Sequence, residues 1–292
     1  MKHTYLYCAI LWMAGVGWGQ DPTNPVEKEY QDLLRFDDQT MADVERLRQE
    51  LEQKTGESLA KIKELNERLI ADKIFAVRGA YSQFLERHPD HLRATIAFAS
   101  FLYDEGETET ALRLWRKVLA LDPKNAPAHN NLANHYGHAK DWKMAMTEYE
   151  AAIALAPTES VYRFNYASVM DLYRKEIAAA GGTTEAEIIR KISKELKTAR
   201  DLAPAEFGFA AAYAKSLDSL TPPNWEEAVA AWRYCVKLSG NDEERDYSNL
   251  NAARVCIELK DKKQASDFIA ASTLPASEPM RLELRRRLDA LK

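Results

Sequence analysis

Three histidines, His129, His135 and His138, sit close together in the chain, with Asp141 just beyond them. His135 and His138 are one helical turn apart, near enough in a helix to share a metal ion. No Glu or Cys completes a ligand set at matching spacing, so no metal site is expected here. The sequence has no Gly-rich phosphate loop, no Gly-x-Ser-x-Gly and no Cys-x-x-Cys. Its many carboxylates fall in helical surface patterns, and none stands out as half of an acid/base pair. Neither catalysis nor a cofactor is expected. Cys235 and Cys256 are the two cysteines beyond the first twenty residues. They form either one bridge or a pair of buried thiols, and sequence alone leaves both open.

Elements that could position other residues are easier to read. Only 11 glycines and 11 prolines occur in 292 residues, and Ala, Leu, Glu, Lys and Arg are plentiful, which favours helix over sheet. With 46% hydrophobic and 29% charged residues the chain has the composition of a folded protein rather than a disordered one. The net charge is −5 with both signs interspersed, which argues against nucleic acid as a partner.

Proline marks a period. Pro89, Pro123 and Pro157 are 34 residues apart, and Pro204 follows after 34 plus 13 more. Each proline would end a helix, because it lacks an amide donor and clashes with the preceding turn. Residues 126–159 carry Leu132-Ala133, Tyr136, Ala145, Tyr149, Ala152 and Pro157. Residues 92–125 carry Phe98-Ala99, Leu102, Gly106, Ala111, Trp115 and Pro123. The small residues Ala111 and Ala145 suit close crossings of two helices, with Trp115 and Tyr149 one turn further on the same face. Asp141 and Asn224 suit helix N-caps. This pattern resembles the tetratricopeptide-repeat family, whose unit is a 34-residue helix–turn–helix. The resemblance spans about residues 58–275, in six units, and is sharpest in the two just quoted. It implies an all-α fold: a right-handed superhelical solenoid of helix–turn–helix repeats, with an N-terminal amphipathic helix and a C-terminal capping helix.

Outlying segments follow from the same frame. Residues 20–39, with Pro22 and Pro25, read as a linker. Val44, Leu47, Leu51, Ser58, Ile62, Leu65 and Leu69 follow three–four spacing through residues 40–70. Residues 40–57 suit an amphipathic, coiled-coil-like arm open to self-association; residues 58–70 suit a first helix folding back on 72–87. The fourth unit has a helix over 160–180, a Gly181-Gly182 break and a second helix over 185–202. Residues 276–292 suit the capping helix, with Met280, Leu284, Leu288 and Leu291 on one side and Arg285, Arg286 and Arg287 solvated on the other.

Stacked hairpins present their first helices to a concave groove that takes extended peptides or helices. On the family's pattern the groove positions are Arg93, Ile96 and Ser100; then Asn130, Asn134 and His138; then Phe164, Asn165 and Ser168. Chaperone-cofactor members of the family clamp a partner's C-terminal carboxylate with two asparagines, matched by Asn134 and Asn165, plus lysines and an arginine. The matching places for those cations are Asn130, Gly208 and Ala211, so that clamp is incomplete and a chaperone tail is not the expected ligand. The expected function is a scaffold for a protein or peptide partner. The alternative is a structural or oligomerisation subunit of an envelope complex acting through its N-terminal helix.

At the start of the chain, Lys2 precedes an apolar run from Leu6 to Val16, then Gly17-Trp18-Gly19. The run is short of the ~20 residues a membrane-spanning helix needs. It suits a signal peptide of residues 1–19, cleaved after Gly19. The chain is therefore expected in the periplasm or outside the cell, or anchored to a membrane if cleavage fails. Cleavage removes Lys2 and no carboxylate, taking the charge from −5 to −6.

Overall fold

Several helices in this chain start where a side chain replaces a lost backbone bond. In the computed structural model, which describes residues 24–53 and 59–291, Asp141, Asn224, Asn241 and Asp261 each accept the amide of the residue three further on. Thr184 and Glu187 form a reciprocal capping box. The hairpins thus delimited are α1 (Pro25–Gln53) with α2 (Leu59–Arg87), α3 (Leu92–Asp104) with α4 (Thr108–Leu121), and α5 (Ala126–His138) with α6 (Trp142–Leu155). Next come α7 (Ser160–Leu172), the short α8 (Arg174–Ala179) and α9 (Glu185–Leu202), then α10 (Phe207–Ser216) with α11 (Trp225–Leu238). The chain closes with α12 (Asp242–Glu258), α13 (Lys262–Ala271) and α14 (Glu278–Asp289). No strand occurs among the described residues. They divide into two compact units, one ending at Ala128 and one beginning at His129. The expected signal peptide lies outside the described residues.

In the first unit, α1 and α2 are an antiparallel pair. Glu29 meets Arg87, the Tyr81 hydroxyl donates to Asp37 (2.6 Å), and Lys73 donates to Asp43 (2.8 Å). Tyr30, Leu33 and Val44 are buried against Val77, Tyr81 and Phe84. Three expectations change here. Residues 25–39 are helix rather than linker: Asn24 accepts the Val26 amide at 3.0 Å, and Pro25 stands at the first helical position, where its missing donor costs nothing. Residues 59–70 do not fold back on 72–87 but continue into them, because Ile70-Ala71-Asp72 contains no helix breaker. Residues 40–53 do not form a separate arm, since Thr40 and Val44 are buried in the α1–α2 pair.

The second unit repeats one packing rule. Ala145, Ala228 and Ala265 are fully buried, and Tyr149, Trp232 and Ile269, four residues on, are buried beside them. Small side chains let the paired helices approach, and the larger ones fill the space beyond. The 13-residue excess of the fourth hairpin is taken up by α8, which Ile177 pins to the core, and by Gly181 and Gly182. Both glycines have φ of 87°, a left-handed conformation that a side chain would strain. Helix 160–180 is accordingly two helices broken at Tyr173.

Cys235 and Cys256 are buried free thiols, and burial pushes them up to about 12 and about 11. Of the two sequence alternatives, the thiol pair is the one present. Helix α14 packs on α12 and α13 through Leu284 and Leu288, with Leu291 beyond it. Met280, expected on that side, is 38% exposed. Arg286 is exposed, and Arg287 reaches Glu258 at 2.6 Å. A residue without a sequence signal anchors this end: Asp246 accepts the amides of Thr273 (2.7 Å) and Leu274 (3.4 Å), and buried Arg281 donates to the Leu274 carbonyl (2.7 Å).

Candidate partner-binding face

Within the second unit the first helix of each hairpin touches the first helix of the next. Asn165 of α7 donates to Asn130 Oδ1 of α5 at 3.2 Å. Gly137 of α5 lies so near α7 that a Cβ there would come within 3.1 Å of Val169, and the Tyr173 hydroxyl donates to the Gly137 carbonyl at 2.6 Å. Phe164 of α7 lies against Phe209 of α10, ring centroids 4.9 Å apart. Asp218, in the 3-10 turn after α10, pairs with Arg254 of α12. These contacts set α5, α7, α10 and α12 side by side.

Register then gives the residues they present. Phe164, Ser168 and Leu172 share one side of α7, and Gly208, Ala211 and Lys215 share one side of α10. Tyr247, Asn251, Arg254 and Glu258 do so on α12. Leu172 of α7 is 58% exposed and Tyr247 of α12 45% exposed, and α10 between them carries the small residues Gly208, Ala211 and Ala212 and the exposed Lys215. Small residues between two large exposed ones allow a partner's backbone to come close while its side chains find apolar ground.

Residues 100–138 match the tetratricopeptide repeat family. No curated protein sequence matches the chain. Among solved structures, YrrB, described as a TPR protein with an unusual peptide-binding site, is similar with a TM-score of 0.54 and 17% identity, over 71% of this chain and 98% of its own. The pilF protein of Pseudomonas aeruginosa gives a TM-score of 0.56 at 18% identity, over 75% of this chain and 91% of its own. The C-terminal part of a TPR repeat-containing protein from Cytophaga hutchinsonii gives 0.53 at 10% identity, over 91% and 99%. Family match, 34-residue period and fold coincide. Residues 100–138 belong to the tetratricopeptide-repeat family, and the chain has the fold of such proteins.

In that fold, the chain's expected groove residues sort into two groups. Asn130 and Asn165 are buried and bonded to each other, so they join helices instead of facing a ligand. Asn134 is half-buried and accepts a hydrogen bond from the Tyr149 hydroxyl. In the first unit, Arg93 holds Glu27 (2.9 Å) and lies over the Tyr30 ring (4.8 Å), so its charge is already engaged. Ile96 and Ser100 are half-buried on α3, and Phe164 is half-buried against Phe209. Ser168 is half-buried, its hydroxyl donating to the Phe164 carbonyl at 2.9 Å, and His138 is exposed. His129 pairs with Glu148 at 2.6 Å. Leu172, Lys215 and Tyr247 were absent from the sequence expectation, although Lys215 and Leu172 continue the same register by one more turn.

The first unit of this TPR-like chain has a different character on its α1–α3 side. Asp37 and Asp104 are both held above the usual aspartate range. For Asp37 burial dominates, and the Tyr81 hydrogen bond only partly offsets it. Asp104 is pushed up to about 6 by burial, with Glu105 and Asp37 adding repulsion.

The Asn130–Asn165 pair carries a prediction. Asn165→Ala is expected to cost about 1–2 kcal/mol, because it leaves the Asn130 amide oxygen buried without this donor. Urea denaturation checks it, and an unchanged midpoint would mean the pair faces solvent.

Proposed function

We propose that the chain is an exported scaffold that holds a protein or peptide partner along the α5–α7–α10–α12 face and catalyses no reaction. The observation that carries this is the exposed pair Leu172 and Tyr247 with the small residues of α10 between their helices, all on helices locked to one another. Rigid elements present a site more sharply than loops do. Export rests on the apolar run and Gly17-Trp18-Gly19 of the sequence. A peptide-binding site described for YrrB, a protein of similar fold, agrees with the reading.

Crosslinking and pull-down of the processed protein from its native compartment tests it. N-terminal sequencing of the same sample should begin at Gln20, and a start at Met1 would refute cleavage. Leu172→Glu and Tyr247→Ala are each expected to weaken capture about tenfold or more, the effect of losing one apolar anchor. Leu172 is exposed, so the melting temperature of its variant should hardly move; Tyr247 packs edge-on against buried Trp232 and its variant should lose some stability, so capture is compared at a temperature where both variants are folded. Capture unaffected by both changes together would remove this face from the function.

A further inference from the structure

The outward face of α2 differs from that of its partner α1. On α1 the exposed positions are charged or polar almost throughout, from Asp32 and Arg35 to Arg46 and Gln49. On α2 the side opposite buried Asn66, Val77, Tyr81 and Phe84 carries Leu65, Arg68, Leu69, Asp72, Phe75 and Ala76, all exposed. Phe75 is 76% and Leu65 58% exposed. Scattered single apolar residues on a surface need no explanation, but a row at helical spacing on one face does. Neither Arg68 nor Asp72 has an ion-pair or hydrogen-bond partner among the described residues. The helix is long enough to serve as an interface, since 29 residues span about 44 Å.

We propose that this face of α2 pairs antiparallel with α2 of a second copy of the chain, about a two-fold axis at the level of Ile70. The sequence around Ile70 is complementary to its own reverse. Leu65 and Phe75 are each five residues from it, and Arg68 and Asp72 each two. A two-fold there sets Leu65 against Phe75 of the other copy and Arg68 against its Asp72, each pair occurring twice because the interface is isologous. No like charges face each other over residues 65–75 in this register. A slip of one residue either way loses this: one sets Leu69 against Asp72, the other Glu64 against Phe75, each an apolar side chain against a carboxylate. A parallel pair in register would set Arg68 on Arg68 and Asp72 on Asp72. The complementarity thus selects both the orientation and the register. It also moves self-association from residues 40–57, whose apolar stripe is used within the chain, to residues 65–76.

Sedimentation equilibrium of the whole processed chain, over the micromolar range, tests this. The wild type should reach a dimer. Leu65→Glu with Phe75→Glu should raise the dissociation constant at least about tenfold, the scale of losing two buried apolar anchors. Circular dichroism should be unchanged because both residues are exposed. Arg68→Asp alone and Asp72→Arg alone should each weaken the dimer, and the swap carrying both should restore it. A chain that stays monomeric, with that face left to another protein or to the N-terminal residues, overturns the proposal. So does a dimer indifferent to Phe75, or single reversals that the swap does not rescue.

Discussion

Trp232→Ala is expected to lower stability by about 3–5 kcal/mol, the usual cost of deleting a large buried aromatic side chain. Trp232 is fully buried on α11, four residues after Ala228 at the helix crossing. Its ring meets Tyr247 of α12 edge-on, with centroids 5.4 Å apart. It therefore serves two hairpins at once: its own and the interface to the next. In a repeat stack stability is a sum of unit and neighbour terms, so a lesion in an interface residue lowers both units it joins. Trp232→Phe, which keeps most of the apolar volume, should cost well under half as much. Denaturant titration with the remaining tryptophans as reporters separates the outcomes. A loss below about 1 kcal/mol for the alanine variant would show that the unit collapses around the gap.

Asp246→Ala is expected to cost about 2–3 kcal/mol, through loss of charge-assisted bonds that leaves the Thr273 and Leu274 amides short of an acceptor. Burial alone would raise this carboxyl. Hydrogen bonds from Ser277, Ser272 and the Leu274 and Thr273 amides outweigh it and hold Asp246 below the ordinary aspartate value. A carboxyl depressed in the folded state contributes stability that is present above its unfolded pKa. That contribution is lost as pH falls through the folded pKa. The gap between wild type and Asp246→Ala should thus be full at neutral pH and narrow below about pH 4. Hydrogen exchange should locate the effect, with faster exchange over residues 273–289 and little change in α5 and α6. A uniform change along the chain would contradict a local anchor.

What could be read in the sequence, and what could not, divides by how far a residue's partner lies along the chain. Pro89, Pro123 and Pro157 announce their helix ends because a proline acts on its own backbone. Asp141 and Asn224 announce helix starts because a cap acts three residues on. The first half of α1 was hidden because its inward stripe, Tyr30, Leu33, the half-buried Asp37, Thr40 and Val44, includes two polar residues that look like surface. Only the Tyr81 hydroxyl, 44 residues away, shows why Asp37 lies inward. Asn130 and Asn165 misled in the opposite sense. Residues that join neighbouring first helices and residues that face a ligand share the same three–four spacing, and an asparagine side chain serves either purpose. Asp246 gave no sign at all, since the amides it holds are 27 and 28 residues further on.

Three of the contacts that join the first helices of the second unit differ in kind. Asn130–Asn165 is an amide pair, Phe164–Phe209 an aromatic pair and Asp218–Arg254 an ion pair. Dissolved ions screen only the last of these, and only in part, because its side chains are 18% and 24% exposed. Ionic strength therefore acts as a selective handle on the seam between α10 and α12, next to Lys215 and Tyr247, while the seams between α5, α7 and α10 stay indifferent to it.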